Sequence, residues 1–102
     1  MSVEKRREIW IKIKELWEKE YPKIPTPALS PEDREKVREF LSKLYELFKQ
    51  YVETLPPERR KEVLYIDNVA ITYDTLLEII KRDMQAGTIS RELYLAFIEM
   101  FG

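Results

Sequence analysis

The chain has 102 residues, and a charge of -1 from 18 Lys and Arg against 19 Asp and Glu. It holds no Cys and no His, which excludes disulfides, zinc fingers, thiol nucleophiles, His-held haem and His-based acid/base pairs. Two glycines are too few for a Gly-rich phosphate cradle, and a near-neutral balance argues against a basic nucleic-acid coat or a polybasic membrane anchor. With 44% hydrophobic and 12% aromatic residues, the chain is expected to fold as one domain with a real core.

The first residues, Met1 to Arg7, are charged, and Lys12, Lys14 and Glu15 break up the apolar positions that follow. No signal-peptide pattern and no run of roughly 20 apolar residues is present, so a soluble, cytoplasmic protein is expected. A helix is predicted over about Val3 to Glu20, capped by Ser2, with Glu4 in its first turn. Val3, Trp10, Ile13, Trp17 and Tyr21 form its apolar stripe, which Ile9 and Leu16 widen; Ile11 falls off it. Pro22 ends this helix, because a residue before proline is pushed out of helical geometry.

Residues 22–30 hold three prolines and read as a stiff connector; Ile24, Ala28 and Leu29 suggest that it packs across the bundle. Ser30-Pro31-Glu32-Asp33 opens the next helix, with Ser30 as cap and Pro31 at the first helical position. It runs to about Thr54, with Val37, Phe40, Leu41, Leu44, Leu47, Phe48, Tyr51, Val52 and Leu55 on one wide face. The opposite face is charged and solvated. Leu55-Pro56-Pro57 stops this helix. A short helix from Pro57 to about Ile66 is expected next, then an irregular or hairpin-like connector, with any sheet confined to 63–72.

Thr72 caps a helix from Tyr73 to about Ala86, stapled by Ile71 and Leu76 and closed by Gly87. Ser90 caps the last helix, Arg91 to about Phe101. Leu93, Tyr94, Leu95, Phe97, Ile98, Met100 and Phe101 make it apolar around most of its circumference. An all-round apolar helix is expected at the centre of a bundle. The competing reading is a partner or homo-oligomer surface, with Leu95, Ile98, Trp10 and Ile11 as its candidates. The expected fold is therefore mainly α, a compact bundle of four to five helices.

No motif carries chemistry. Residues 68–75 and 87–93 resemble half of a calcium-binding EF-hand loop. Aligned on it, they place Leu64 with Thr75, or Arg82 with Leu93, at the end positions, where calcium needs carboxylates. Ser2-Val3-Glu4-Lys5 has Ser-x-x-Lys spacing without any other hydrolase element. Asp67 is the one acid/base candidate, and an Asp-Asn turn is the favoured explanation of it. Tyr45, Tyr51, Tyr65 and Tyr73 read as core aromatics with a wet tip. The basic clusters Lys5-Arg6-Arg7, Arg59-Arg60-Lys61 and Lys81-Arg82 each sit beside acids, so sequence-specific nucleic-acid binding is not expected. No catalytic residue, cofactor or metal is expected, and no membrane partner.

Leu76, Ile79, Ile80, Lys81, Asp83, Gly87, Ile89 and Leu93 give the last 30 or so residues a resemblance to the closing helical hairpin of the small bacteriocin immunity proteins. The resemblance implies an antiparallel four-helix bundle that neutralises a toxin by binding. Charged helix faces, proline-stiffened loops and strong caps also resemble designed or hyperthermophile proteins. The function expected first is a non-enzymatic, thermostable structural or protein-interaction module. An immunity or inhibitor-type protein comes second, and a nucleic-acid accessory or nucleocapsid protein third.

Overall fold

The computed structural model describes residues 3–66 and 68–101. Ser2 and Asp67, named above as a cap and as an acid candidate, lie outside them. In chain order the elements are α1 (Val3–Glu20), a 3-10 turn (Tyr21–Lys23), α2 (Pro31–Glu53), α3 (Pro57–Arg60), β1 (Val63–Ile66), β2 (Val69–Thr72), α4 (Tyr73–Ala86) and α5 (Arg91–Phe101). The protein is thus mainly α, with one antiparallel hairpin pairing Val63 with Thr72 and Ile66 with Val69.

The centre of the bundle is α2, which packs on α1 along one flank and α4 along the other. Its spacing of threes and fours buries Val37, Phe40, Leu41, Leu44, Phe48 and Val52 along its whole length. Each such side chain contributes about 1.5–3 kcal/mol when fully removed from water. The expectation that α5 is central is corrected. Of its apolar residues, Leu93 and Phe97 are buried, with Ala96, while Tyr94 and Ile98 are each 40% exposed. A helix at the rim has one face for the core, and Tyr94 and Ile98 on its other sides keep part of their surface in water.

The caps form as their sequences imply. The hydroxyls of Ser30, Thr72 and Ser90 accept from the backbone N–H of Asp33, Thr75 and Leu93 at 3.0, 3.2 and 3.2 Å. Gly87 ends α4 with φ 73°, and a side chain there would also press on the Cβ of Arg34 at 3.0 Å.

The C-terminus of α2 is closed by two arginines from other elements. Arg6 of α1 donates to the Thr54 carbonyl at 3.0 Å. Arg60 of α3 donates to the carbonyls of Val52 and Leu55 at 3.2 Å and of Glu53 at 3.4 Å. The last carbonyls of a helix have no partners within it and carry partial negative charge, so two guanidinium groups satisfy both needs. Two of the three basic clusters therefore each commit an arginine to the fold.

Four local expectations are overturned, among them Tyr65 as a core aromatic, since it is 70% exposed. The helix from Pro57 ends at Arg60, not Ile66. The β-branched and aromatic run after it pairs as strands, and Asn68 takes a φ of 67° in the turn, a conformation Asn tolerates better than most residues. In the connector Ala28 is buried and Ile24 packs on the core, but Leu29 is 78% exposed. Val3 is 67% exposed, because the buried stripe of α1 starts only at Ile9.

Tyr73 opens α4 against the rings of Phe48 and Tyr51, each 6.1 Å away between centroids. Burial pushes its phenol up to about 12, and the neighbouring Tyr51 and Glu62 add to the effect. Below pH 10 the phenol is neutral in both states. Between about 10 and 12 the unfolded chain alone releases the proton, so stability falls as pH rises through that window. The expected loss is about 1 kcal/mol, discounted because the group is half open to water. Urea unfolding on either side of that window measures it, and Tyr73→Phe should remove most of it. Between pH 6 and 8 stability should be flat, with no His to titrate.

Candidate interaction surface between the first and last helices

The seam between α1 and α5 is built from rings. Trp17 stacks on Tyr21 at 4.1 Å and on Phe97 at 4.7 Å, with interplanar angles of 10° and 16°. Phe101 lies 5.5 Å from Phe97 and 5.1 Å from Trp10, and Trp10 continues to Tyr51 at 5.1 Å. Tyr94 meets Tyr21 at 6.0 Å at the other end. The row follows from spacing: Trp10, Trp17 and Tyr21 recur on one side of α1, while Tyr94, Phe97 and Phe101 recur on one side of α5. Offset and tilted ring pairs of this kind each add about 0.5–1.5 kcal/mol beyond area burial.

Beside these rings an open groove of about 310 Å³ is lined by Trp17, Glu18, Tyr21, Pro22, Phe97, Ile98 and Phe101. Its one charged lining residue, Glu18, faces Lys14 at 3.9 Å. Partial burial, with Tyr94 close by, raises the Tyr21 phenol above its ordinary value, so it stays a neutral donor at pH 7. A larger depression of about 520 Å³, lined by Glu35, Arg38, Glu39, Ser42, Lys43 and Met84, is charged and shallow by contrast.

The four residues proposed from sequence do not form one patch. Ile98 lies on the groove and is 40% exposed. Trp10 reaches the same seam through Phe101 but is half-buried between that ring and Tyr51. Leu95 is half-buried against the core, on the side of α5 facing away from Leu93, Ala96 and Phe97. Ile11 is 47% exposed and stands apart, two residues from both Ile9 and Ile13, hence on the opposite side of α1.

Tyr94 and Tyr21 were missed as surface members, being read as parts of the apolar circumference of α5 and of the apolar stripe of α1. Asp83 was missed too, a charged residue only 3% exposed. The Asp83 carboxylate accepts from the Ser90 backbone N–H at 2.8 Å and from Arg82 at 3.4 Å, and so fixes where α5 begins. The signal was its position seven residues after Leu76 and four after Ile79, on the buried stripe of α4.

Among the described residues, no group of three or more His, Cys, Asp or Glu side chains is placed to hold a metal ion. No helix among them is long and apolar enough to cross a membrane. No family model matches the chain, and no curated protein or solved structure does either.

Proposed function

We propose that this chain is a non-enzymatic, thermostable protein-interaction module whose working surface is the outward face of α5 with the groove beside α1. The observation that carries this reading is the pair Tyr94 and Ile98, each 40% exposed at the rim of a ring-lined groove. Phe40, Phe48 and Phe97 are fully buried nearby, so the core is complete without that pair. Exposed aromatic and aliphatic side chains beside an apolar groove are the composition of a protein-binding anchor. The commitment of Arg6 and Arg60 to α2 carbonyls weighs against a phosphate-binding role. The absence of His and Cys weighs against enzymatic acid/base or thiol chemistry. The arginine clamp, the side-chain caps and the proline-stiffened loop support thermostability. A toxin-neutralising inhibitor is a narrower form of the same reading, with the same surface and a different partner.

The test is a photo-crosslinking phenylalanine analogue at position 98, compared with the same analogue at position 46 on the exposed face of α2, in cells making the protein. Position 98 should give discrete protein adducts and position 46 should not. Equal labelling at the two positions, or none at 98, would contradict the proposal.

A further inference from the structure

We infer that the outward face of α5 pairs with the same face of a second copy of this chain, antiparallel about a two-fold axis near Leu95. The inference rests on the interaction-module reading and names its partner. Leu93, Ala96 and Phe97 define the inward face. At 3.6 residues per turn, Arg91, Leu95, Ile98 and Glu99 fall on the other side, with Tyr94 at its edge; Leu95 is half-buried there and the other four are exposed. Arg91 and Glu99 are both exposed, and neither has an ion pair or hydrogen bond among the described residues. The remaining charge of the helix, Glu92, is already held by Arg82 at 3.5 Å.

Arg91 and Glu99 lie eight residues apart, about 12 Å along the axis, too far to pair with each other. Antiparallel pairing resolves this. It sets Leu95 against Leu95 and each Arg91 against the Glu99 of the other copy, and leaves Ile98 about 3 Å along the axis from Tyr94 of the other copy. The face is self-complementary in charge and shape sense, as a two-fold contact requires. A face one short helix long is at the small end of stable interfaces, so association in the micromolar range is expected.

The experiment is light scattering over a concentration series from about 1 µM to about 1 mM, which brackets that range. The mass should rise from 12.4 kDa toward twice that value. Arg91→Glu or Glu99→Arg alone should weaken the dimer about tenfold or more, because each creates two like-charge contacts. The double reversal, Arg91→Glu with Glu99→Arg, should recover the parent dissociation constant to within about threefold. Both positions are exposed, so circular dichroism and melting of the variants should match the parent. A mass fixed at the monomer throughout overturns the second copy. Adducts of a different protein at position 98 would then leave the interaction-module reading standing. A dimer indifferent to the single reversals, or not rescued by the double one, overturns the antiparallel arrangement.

Discussion

Phe97→Ala should destabilise the protein by about 3–5 kcal/mol, the range for removing a fully buried aromatic side chain. Phe97 is 0% exposed, stacks on Trp17 at 4.7 Å, and meets Phe48 edge-on at 6.2 Å. The substitution removes these ring contacts and opens a cavity where α5, α1 and α2 meet. Surrounding helices relax only partly into such a space, which is why the cost exceeds simple transfer. For a domain of this size the melting temperature should fall by about 15–25 °C. Thermal unfolding by circular dichroism measures it, and a loss under about 1 kcal/mol would show that α5 is not anchored through this ring.

The second large effect is expected at Asp83. Its carboxylate receives the Ser90 N–H at 2.8 Å, while its backbone carbonyl receives Gly87 N–H at 2.8 Å and Thr88 N–H at 3.2 Å. One residue thus closes α4 and opens α5. Hydrogen bonds to charged groups contribute about 1.5–3 kcal/mol, and a buried donor left without its acceptor adds a desolvation cost. Asp83→Ala should therefore cost about 2–3 kcal/mol in urea unfolding. Asp83→Asn keeps an acceptor oxygen and should cost about half as much. The effect reaches the surface as well. The start of α5 sets its rotation, and that rotation turns Phe97 inward and Ile98 toward the groove. An Asp83→Ala protein as stable as Asp83→Asn would mean that Ser90 is held by its own capping geometry alone.

The helices were legible in the sequence because their signals are local. Ser30, Thr72 and Ser90 each precede an apolar stripe, and Gly87 follows one; each side chain or φ angle then does what its chemistry allows. The hairpin was legible only as an alternative: the sequence confines any sheet to 63–72, but favours a helix running to Ile66 over the strand that forms there. Tyr65 is 70% exposed and Val69 60%, although they occupy successive paired rungs and so point to opposite faces. With apolar side chains exposed at both of these positions, the run carries no clean alternation of apolar and polar residues. The rim position of α5 was hidden for a different reason. Composition says that a helix is apolar all round, but which helix takes the centre depends on the competition among helices. The 23 residues of α2 carry a longer continuous stripe than the 11 of α5. The groove is also tertiary: Trp17 and Ile98 are 81 positions apart, and nothing local pairs them. Asp83 is singled out in the sequence only by the immunity-protein resemblance; its place on the α4 stripe, seven residues before the Ser90 cap, is what marks its structural role.

The division of α5 into two faces, one that holds the fold together and one that does not, underlies both the fold and the proposed surface. The unfolding free energy of Ile98→Lys in dilute solution, where self-association is negligible, tests this most directly. That value should lie within about 0.5 kcal/mol of the parent, as for surface positions outside the core. Ile98 is 40% exposed, and a lysine there can keep its stem on the groove and its ammonium in water. A loss approaching that of Phe97→Ala would mean that the outward face of α5 belongs to the core and that the two faces are not separate.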